Sequence, residues 1–175
     1  MKTINTDYKI EALGILLDKS CLSQGFYPLI EYKELLLAGL PLLGCRTKSD
    51  AQHLPDDALL RLGLDDIDTV GLFRRFLTLY DPKPQKFREI EKITSDPEEQ
   101  EAFRELYHLP GVKQTRAALY YQSGCKSINT FAEMTAEEIL EKTARTISER
   151  GLSCIVPLPK DVRTHIAVAK AFTLK

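Results

Sequence analysis

The chain has 175 residues, of which 43% are hydrophobic and 28% are charged, and its formal net charge at pH 7 is −1. This length and composition suffice for one ordinary hydrophobic core or two small ones, which excludes a disordered protein. The slightly acidic balance lacks the strongly basic character that nucleic-acid-binding domains usually show.

The sequence also argues against a signal peptide, a membrane span and a zinc or disulfide site built from cysteines. The first seven residues lack the apolar run of a signal peptide, and no later stretch approaches the roughly 20 apolar residues of a membrane span. The four cysteines contain no Cys-x-x-Cys pair, which argues against a zinc site and a secreted disulfide framework. We therefore expect a cytoplasmic protein with no membrane contact and with buried free thiols at Cys21, Cys45, Cys125 and Cys154.

Apolar residues recur at helical spacing through the first half of the chain. The pattern predicts a helix over residues 7–20 with Thr6 as its N-cap, and a second over residues 31–40 that Gly39 and Pro41 end or kink. Further helices are expected from Pro55 to Gly63 and from Asp66 to about Tyr80.

The second half continues the helical pattern. After a proline-rich linker at residues 81–84, helices are expected over residues 85–94, 97–108, 135–150 and 157–172. Thr135 and Glu138 form a capping-box sequence, and Gly151 marks the end of that helix. Residues 154–156 are too short and too close to a proline for more than an extended connector, so no sheet is predicted.

Two stretches of the chain match at an offset of 80 residues, since 124 − 44 = 80. Gly-Cys-Arg-Thr at residues 44–47 recurs as Gly-Cys-Lys-Ser at residues 124–127, and the register continues without a gap to residues 60 and 140. Each copy predicts a helix ending at a glycine, a buried cysteine and a short helix capped by Thr47 or Ser127. The chain therefore reads as two tandem copies of one helical unit in an all-α fold. We expect a first unit over residues 1–80, connecting helices over 81–105 and a second unit over 106–175.

A tight turn precedes one of the predicted helices. Pro110 biases Leu109 away from helical backbone angles, and Gly111 can take a positive φ at no steric cost. The helix is expected to restart at Lys113, with the small Ala117 one turn later allowing two helices to approach closely.

The sequence of this turn resembles the helix-hairpin-helix superfamily, which belongs to the SAM-like folds. Pro110, Gly111, Val112 and Ala117 match the usual pattern, whereas Lys113 stands where the family has a second glycine. The resemblance is to helix-hairpin-helix-like domains of uncharacterised bacterial proteins, and it implies a hairpin whose amides contact a DNA phosphate. Because the second glycine is missing, a hairpin that serves only to pack the two helices is the other interpretation.

Two functions follow from these features. The first is a non-catalytic helical module that binds a protein partner or another copy of itself. The second is weak nucleic-acid backbone binding, without sequence preference, through the hairpin Leu109–Lys113. Residues 111–175 hold ten Lys and Arg against six Asp and Glu, a balance of +4, whereas residues 1–110 hold 14 against 19, a balance of −5. The residues expected to contact nucleic acid are Gly111, Val112, Lys113, Arg116 and Lys126.

No catalytic pattern is present. The three histidines, His53, His108 and His165, have no nucleophile at a recognisable spacing, and there is no glycine-rich phosphate loop. The acidic cluster at Glu98, Glu99 and Glu101 suits the positive end of a helix. We therefore expect no enzyme activity, no cofactor and no metal.

Overall fold

The computed structural model describes residues 6–81 and 83–174, apart from the side chains of residues 20–24. This part of the chain forms eleven α-helices and a 3-10 helix, Tyr27–Tyr32. The α-helices are α1 Ile10–Gln24, α2 Lys33–Leu42, α3 Lys48–Gln52, α4 Asp56–Leu62, α5 Ile67–Leu77, α6 Pro84–Ile93, α7 Pro97–Leu106, α8 Gln114–Gln122, α9 Ile128–Glu133, α10 Ala136–Arg150 and α11 Pro159–Thr173. The described residues contain no strand beyond one isolated bridge, so the all-α prediction is confirmed. None of these helices is long and apolar enough to cross a membrane.

The chain divides into two compact units. The described residues of the first unit run to Asp81, and the second unit spans Pro82–Thr173. The helices α6 and α7 therefore belong to the second unit, where α6 packs on α7 and α7 packs on α8.

In the first unit, the segment before α1 lies alongside the segment before α3. The N–H of Ile10 donates to the Arg46 carbonyl (3.0 Å), and the N–H of Lys48 donates to the Tyr8 carbonyl (2.9 Å). The side chain of Asp7 accepts from the N–H of Ser49 (2.7 Å). The prediction that Thr6 caps α1 is wrong because these long-range bonds hold the preceding residues extended, and the helix begins only at Ile10.

Gly39 has a packing role rather than a terminating one. The helix α2 continues through Gly39 and Pro41 to Leu42, so of the two expected effects these residues do not have the first, which was to end the helix. A Cβ atom built at Gly39 would lie 2.1 Å from Cδ1 of Leu62. The missing side chain therefore allows α4 to pack closely against α2.

The second unit is built around α8 and α11. The helix α11 packs on α9 and α10, and α10 also packs on α8. Its largest fully buried side chains are Phe103, Tyr120 and Phe131. Burying each large apolar side chain contributes about 1.5–3 kcal/mol, so these residues contribute substantially to the unit's stability.

The same hydrogen bonds occur at both positions of the 80-residue offset. The N–H of Cys45 donates to the Leu40 carbonyl (3.1 Å), and the N–H of Cys125 donates to the Tyr120 carbonyl (2.9 Å). Gly44 and Gly124 have φ values of 83° and 86°. In each unit, this hydrogen bond and the positive φ of the glycine form the end of a helix, α2 in the first unit and α8 in the second. The units differ afterwards, since α4 has 7 residues and α10 has 15.

The predicted turn lies between α7 and α8. Gly111 has a φ of 73°, as expected. Lys113 is extended (φ −125°, ψ −170°) and serves as the N-cap of α8, so the helix starts at Gln114 and not at Lys113. Lys113 thereby lies at the helix entrance, where the amides of the first turn have no helical acceptor.

Candidate functional site

A cleft opens between the start of α8 and the connector that joins α10 to α11, defined here as residues 152–158. The cleft has a volume of about 510 Å³, within the usual range of ligand sites. Its lining residues come from the turn, from α8 and from the connector: Gly111, Lys113, Gln114, Thr115, Arg116, Leu119, Ser153, Cys154 and Ile155. The cleft therefore combines a helix N-terminus with a segment of chain that is neither helix nor strand.

Three of the five predicted site residues line this cleft, namely Gly111, Lys113 and Arg116. Val112 does not, since its side chain is 4% exposed and its N–H donates to the Leu109 carbonyl (3.1 Å). Because this amide already has an acceptor, the hairpin offers fewer amides to an anion than the family resemblance implies.

Lys126 also lies outside the cleft lining. Its Nζ is 3.0 Å from Oε1 of Glu98. The same ammonium group lies 4.7 Å from the ring centroid of Tyr121. Lys126 thus links the start of α9 to α7 and is already paired with a carboxylate.

Arg116 fixes one wall of the cleft. Its Nη1 donates to the carbonyl of Ile155 (3.3 Å), and its guanidinium carbon lies 5.9 Å from the ring centroid of Tyr120. These contacts join α8 to the connector. Among the described residues, no carboxylate forms a salt bridge with Arg116 or Lys113.

Two further lysines extend the positive charge near Lys113. Lys83 and Lys86 lie at the start of α6 and are exposed. Desolvation lowers the pKa of Lys86 most, the like charges of Lys83 and Lys113 lower it further, and the carboxylate of Glu89 raises it. This cluster could not be seen in the charge balance of residues 111–175, because α6 lies earlier in the chain.

The connector exposes apolar side chains next to the cleft. Ile155 is 75% exposed, Val156 39% and Leu158 53%. The sequence predicted an extended segment here, and the structure shows neither helix nor strand over residues 152–158. Exposed apolar residues in a row are a feature of surfaces that contact other molecules.

A buried histidine holds the turn in place. Nε2 of His165 in α11 lies 2.8 Å from the Pro110 carbonyl, and its Nδ1 lies 2.9 Å from the Tyr120 hydroxyl. A carbonyl can only accept, so Nε2 carries the proton and Nδ1 accepts from the hydroxyl. Burial lowers the pKa of His165, which therefore stays neutral near pH 7. Sequence inspection gave no sign of this role, because His165 lies 55 residues from Pro110.

The cysteines and acidic residues do not form a reactive or metal-binding site in the part of the chain that the structure describes. Cys45 and Cys125 are buried, and burial raises the pKa of the Cys125 thiol to about 11. Cys154 is only half-buried, contrary to prediction, because it lies on the connector; the side chain of Cys21 lies outside the described residues. No group of three or more His, Cys, Asp and Glu side chains among the described residues could hold a metal ion.

Comparison of the chain with protein-family models, with curated proteins and with solved structures gives no match. The chemistry of the cleft must therefore be inferred from its geometry.

Proposed function

We propose that this chain is a non-catalytic interaction module that docks a segment of a protein partner in the cleft of its second unit. The observation that carries this proposal is the exposed apolar row of Ile155, Val156 and Leu158 beside the cleft. Covering this row would remove apolar surface from water, which is the main favourable term in protein association.

The shape of the site also favours a protein segment. The connector is neither helix nor strand, and within the described residues the amides of Ser153, Cys154 and Ile155 donate to no backbone carbonyl. An extended peptide can pair with such a segment through its own backbone while its side chains occupy the neighbouring cleft.

Selection of binders from a random peptide display library tests this proposal with the full chain as bait. Selected peptides should lose about tenfold or more in affinity for Ile155→Ser and Leu158→Ser, because each change removes an apolar contact. The matched control is Leu42→Ser, which removes an 87% exposed leucine from the first unit and should leave binding unchanged. Peptides that bind all of these variants equally would place docking elsewhere.

Weak nucleic-acid backbone binding is the second candidate function. The observation that favours it is the cluster in which Lys86 is repelled by Lys83 and by Lys113, a repulsion that an anion would relieve. Phosphate contacts of this kind carry no sequence information and weaken as salt rises. Labelled duplex and single-stranded DNA should then bind at low salt and dissociate at higher salt.

A charge-reversal experiment separates this candidate from adventitious binding. Lys86→Glu with Lys113→Glu should abolish DNA binding, whereas Lys126→Glu, outside the cleft, should leave most of it. DNA affinity that does not change in the double variant would remove the lysine cluster from consideration.

We also propose that the two units are tandem copies of one helix-hairpin-helix-like unit. The paired hydrogen bonds of Cys45 and Cys125 and the positive φ of Gly44 and Gly124 support this relation. An experimentally determined structure in which these two helix ends differ in backbone conformation would contradict it.

A further inference from the structure

The charge of the cleft is one-sided. Two of its lining residues, Lys113 and Arg116, are cationic and none is acidic. The start of α8 adds partial positive charge, because the amides of its first turn point out of the helix end. By contrast, the cations Lys33, Arg104 and Lys126 elsewhere in the chain are paired with carboxylates.

Arg116 is positioned before any ligand arrives. Its hydrogen bond to the Ile155 carbonyl uses one N–H group, whereas a guanidinium carries five donors in a rigid fork. A carboxylate can accept two of the remaining N–H groups at once, and such bidentate pairs are among the strongest hydrogen bonds in proteins. Because the side chain is already held in place, little rotamer entropy is lost when the pair forms.

The cleft also has an apolar part, which calls for an apolar group on the ligand in addition to the anionic one. Leu119 is 2% exposed and contributes to the lining, and Ile155 is 75% exposed at the same site. The exposed Ile155 side chain gains from contact with an apolar group, which a bare phosphate or a sugar-phosphate backbone does not supply. A ligand that matches both parts of the cleft must therefore carry an anionic group close to an apolar side chain.

The first unit lacks this combination. At the offset of 80 residues, Lys113 corresponds to Lys33, which pairs with Asp18 (3.0 Å), and Arg116 corresponds to Leu36, which is fully buried. The positions of the first unit that match Lys113 and Arg116 therefore do not form such a cationic surface.

We infer that the partner segment is an extended acidic peptide in which Asp or Glu stands beside a large apolar residue. Its carboxylate binds Arg116 and Lys113 at the start of α8, and its apolar side chain contacts Ile155. This inference rests on the proposed docking function and adds the chemistry of the docked segment.

Four short fluorescent probes test the inference by anisotropy with the full chain. The first is a capped peptide that alternates Glu with Leu, the second replaces Glu by Gln, the third replaces Leu by Ala, and the fourth is single-stranded DNA. The Glu-Leu peptide should bind best, and either replacement should weaken binding about tenfold or more, since each removes one half of the match. An uncapped version with a free terminal carboxylate should bind no more tightly than the capped one.

Variants of the protein test which residues bind the carboxylate of the peptide. Lys113→Gln should weaken the Glu-Leu peptide much more than the Gln-Leu peptide, because only the former supplies a carboxylate. Arg116→Gln should weaken the Glu-Leu peptide about tenfold or more, since it removes the guanidinium fork and also the bond to the Ile155 carbonyl. Lys126→Gln makes the same change of charge outside the cleft and should affect neither peptide. Lys113 is exposed, so its variant keeps the test valid even if Arg116→Gln loses helical circular dichroism.

The outcomes separate acidic specificity from docking itself. Equal affinity for the Glu-Leu and Gln-Leu peptides, with loss on Ile155→Ser, would overturn the acidic specificity and leave protein docking intact. Tight binding of DNA without binding of any peptide would overturn both in favour of the lysine cluster. If the uncapped peptide bound more tightly than the capped one, the carboxylate in the cleft would be that of a chain end and not that of an internal Asp or Glu.

Discussion

His165 is the residue on which the geometry of the turn depends most directly. It lies between the Tyr120 hydroxyl and the Pro110 carbonyl, and it is 4% exposed. The charged groups near it are Asp161 on its own helix, which raises its pKa, and Arg116 on α8, which lowers it; burial is the largest effect and lowers it. The neutral ring is therefore the form that fits the folded state.

The first prediction concerns pH. Because the pKa of His165 is lower in the folded state, the unfolded chain takes up this proton first as the pH falls. The stability associated with His165 should be fully present above about pH 6.5 and decline below it. Urea unfolding followed by helical circular dichroism should show a smaller decline between neutral and mildly acidic pH in His165→Gln than in the original chain. The same slope in both proteins would exclude His165 as the source.

The second prediction compares two glycines. Gly111 has a φ of 73°, and no neighbouring atom lies within 4 Å of the position that a Cβ atom would occupy, so only backbone strain opposes a side chain there. Gly111→Ala should destabilise the fold by about 1–2 kcal/mol. Gly71 lies inside α5 with ordinary contacts, so Gly71→Ala should stabilise by about 0.5–1 kcal/mol. A melting temperature that stays unchanged or rises in Gly111→Ala would contradict the assigned turn.

At the scale of elements, the helix ends were the most predictable part of the fold. Thr47, Ser127 and Thr135 are N-caps as the sequence indicated, since capping depends on residues within one turn. The start of α1 was not predictable in this way. It is set by bonds to residues 46–49, and no local pattern reveals a contact almost 40 residues away.

The third prediction tests a cap. The Thr135 hydroxyl accepts from the N–H of Glu138 (3.2 Å), and Glu138 accepts in return from the N–H of Thr135 (2.7 Å). Thr135→Ala should cost about 1 kcal/mol of stability. Ser148→Ala, on the exposed side of the same helix, is the matched control and should be neutral or slightly stabilising. A melting temperature unchanged by Thr135→Ala would show that the capping box contributes nothing measurable.

At the scale of the whole molecule, the candidate site was only partly predictable. The turn, the positive φ of Gly111 and the presence of Lys113 and Arg116 followed from local sequence. The opposite wall of the cleft could not be predicted in this way. It is formed by the connector, which lies about 40 residues further along the chain and meets α8 only through tertiary packing. The burial of Val112 and the pairing of Lys126 with Glu98 were missed for the same reason.

The most direct test of docking in the cleft is nuclear magnetic resonance of the isotope-labelled full chain during addition of the Glu-Leu peptide. If the peptide docks there, the amide signals of residues 111–116 and 153–156 should shift together and saturate, while those of α2 stay in place. Shifts confined to the first unit, or none at a saturating excess of peptide, would contradict docking in the cleft of the second unit.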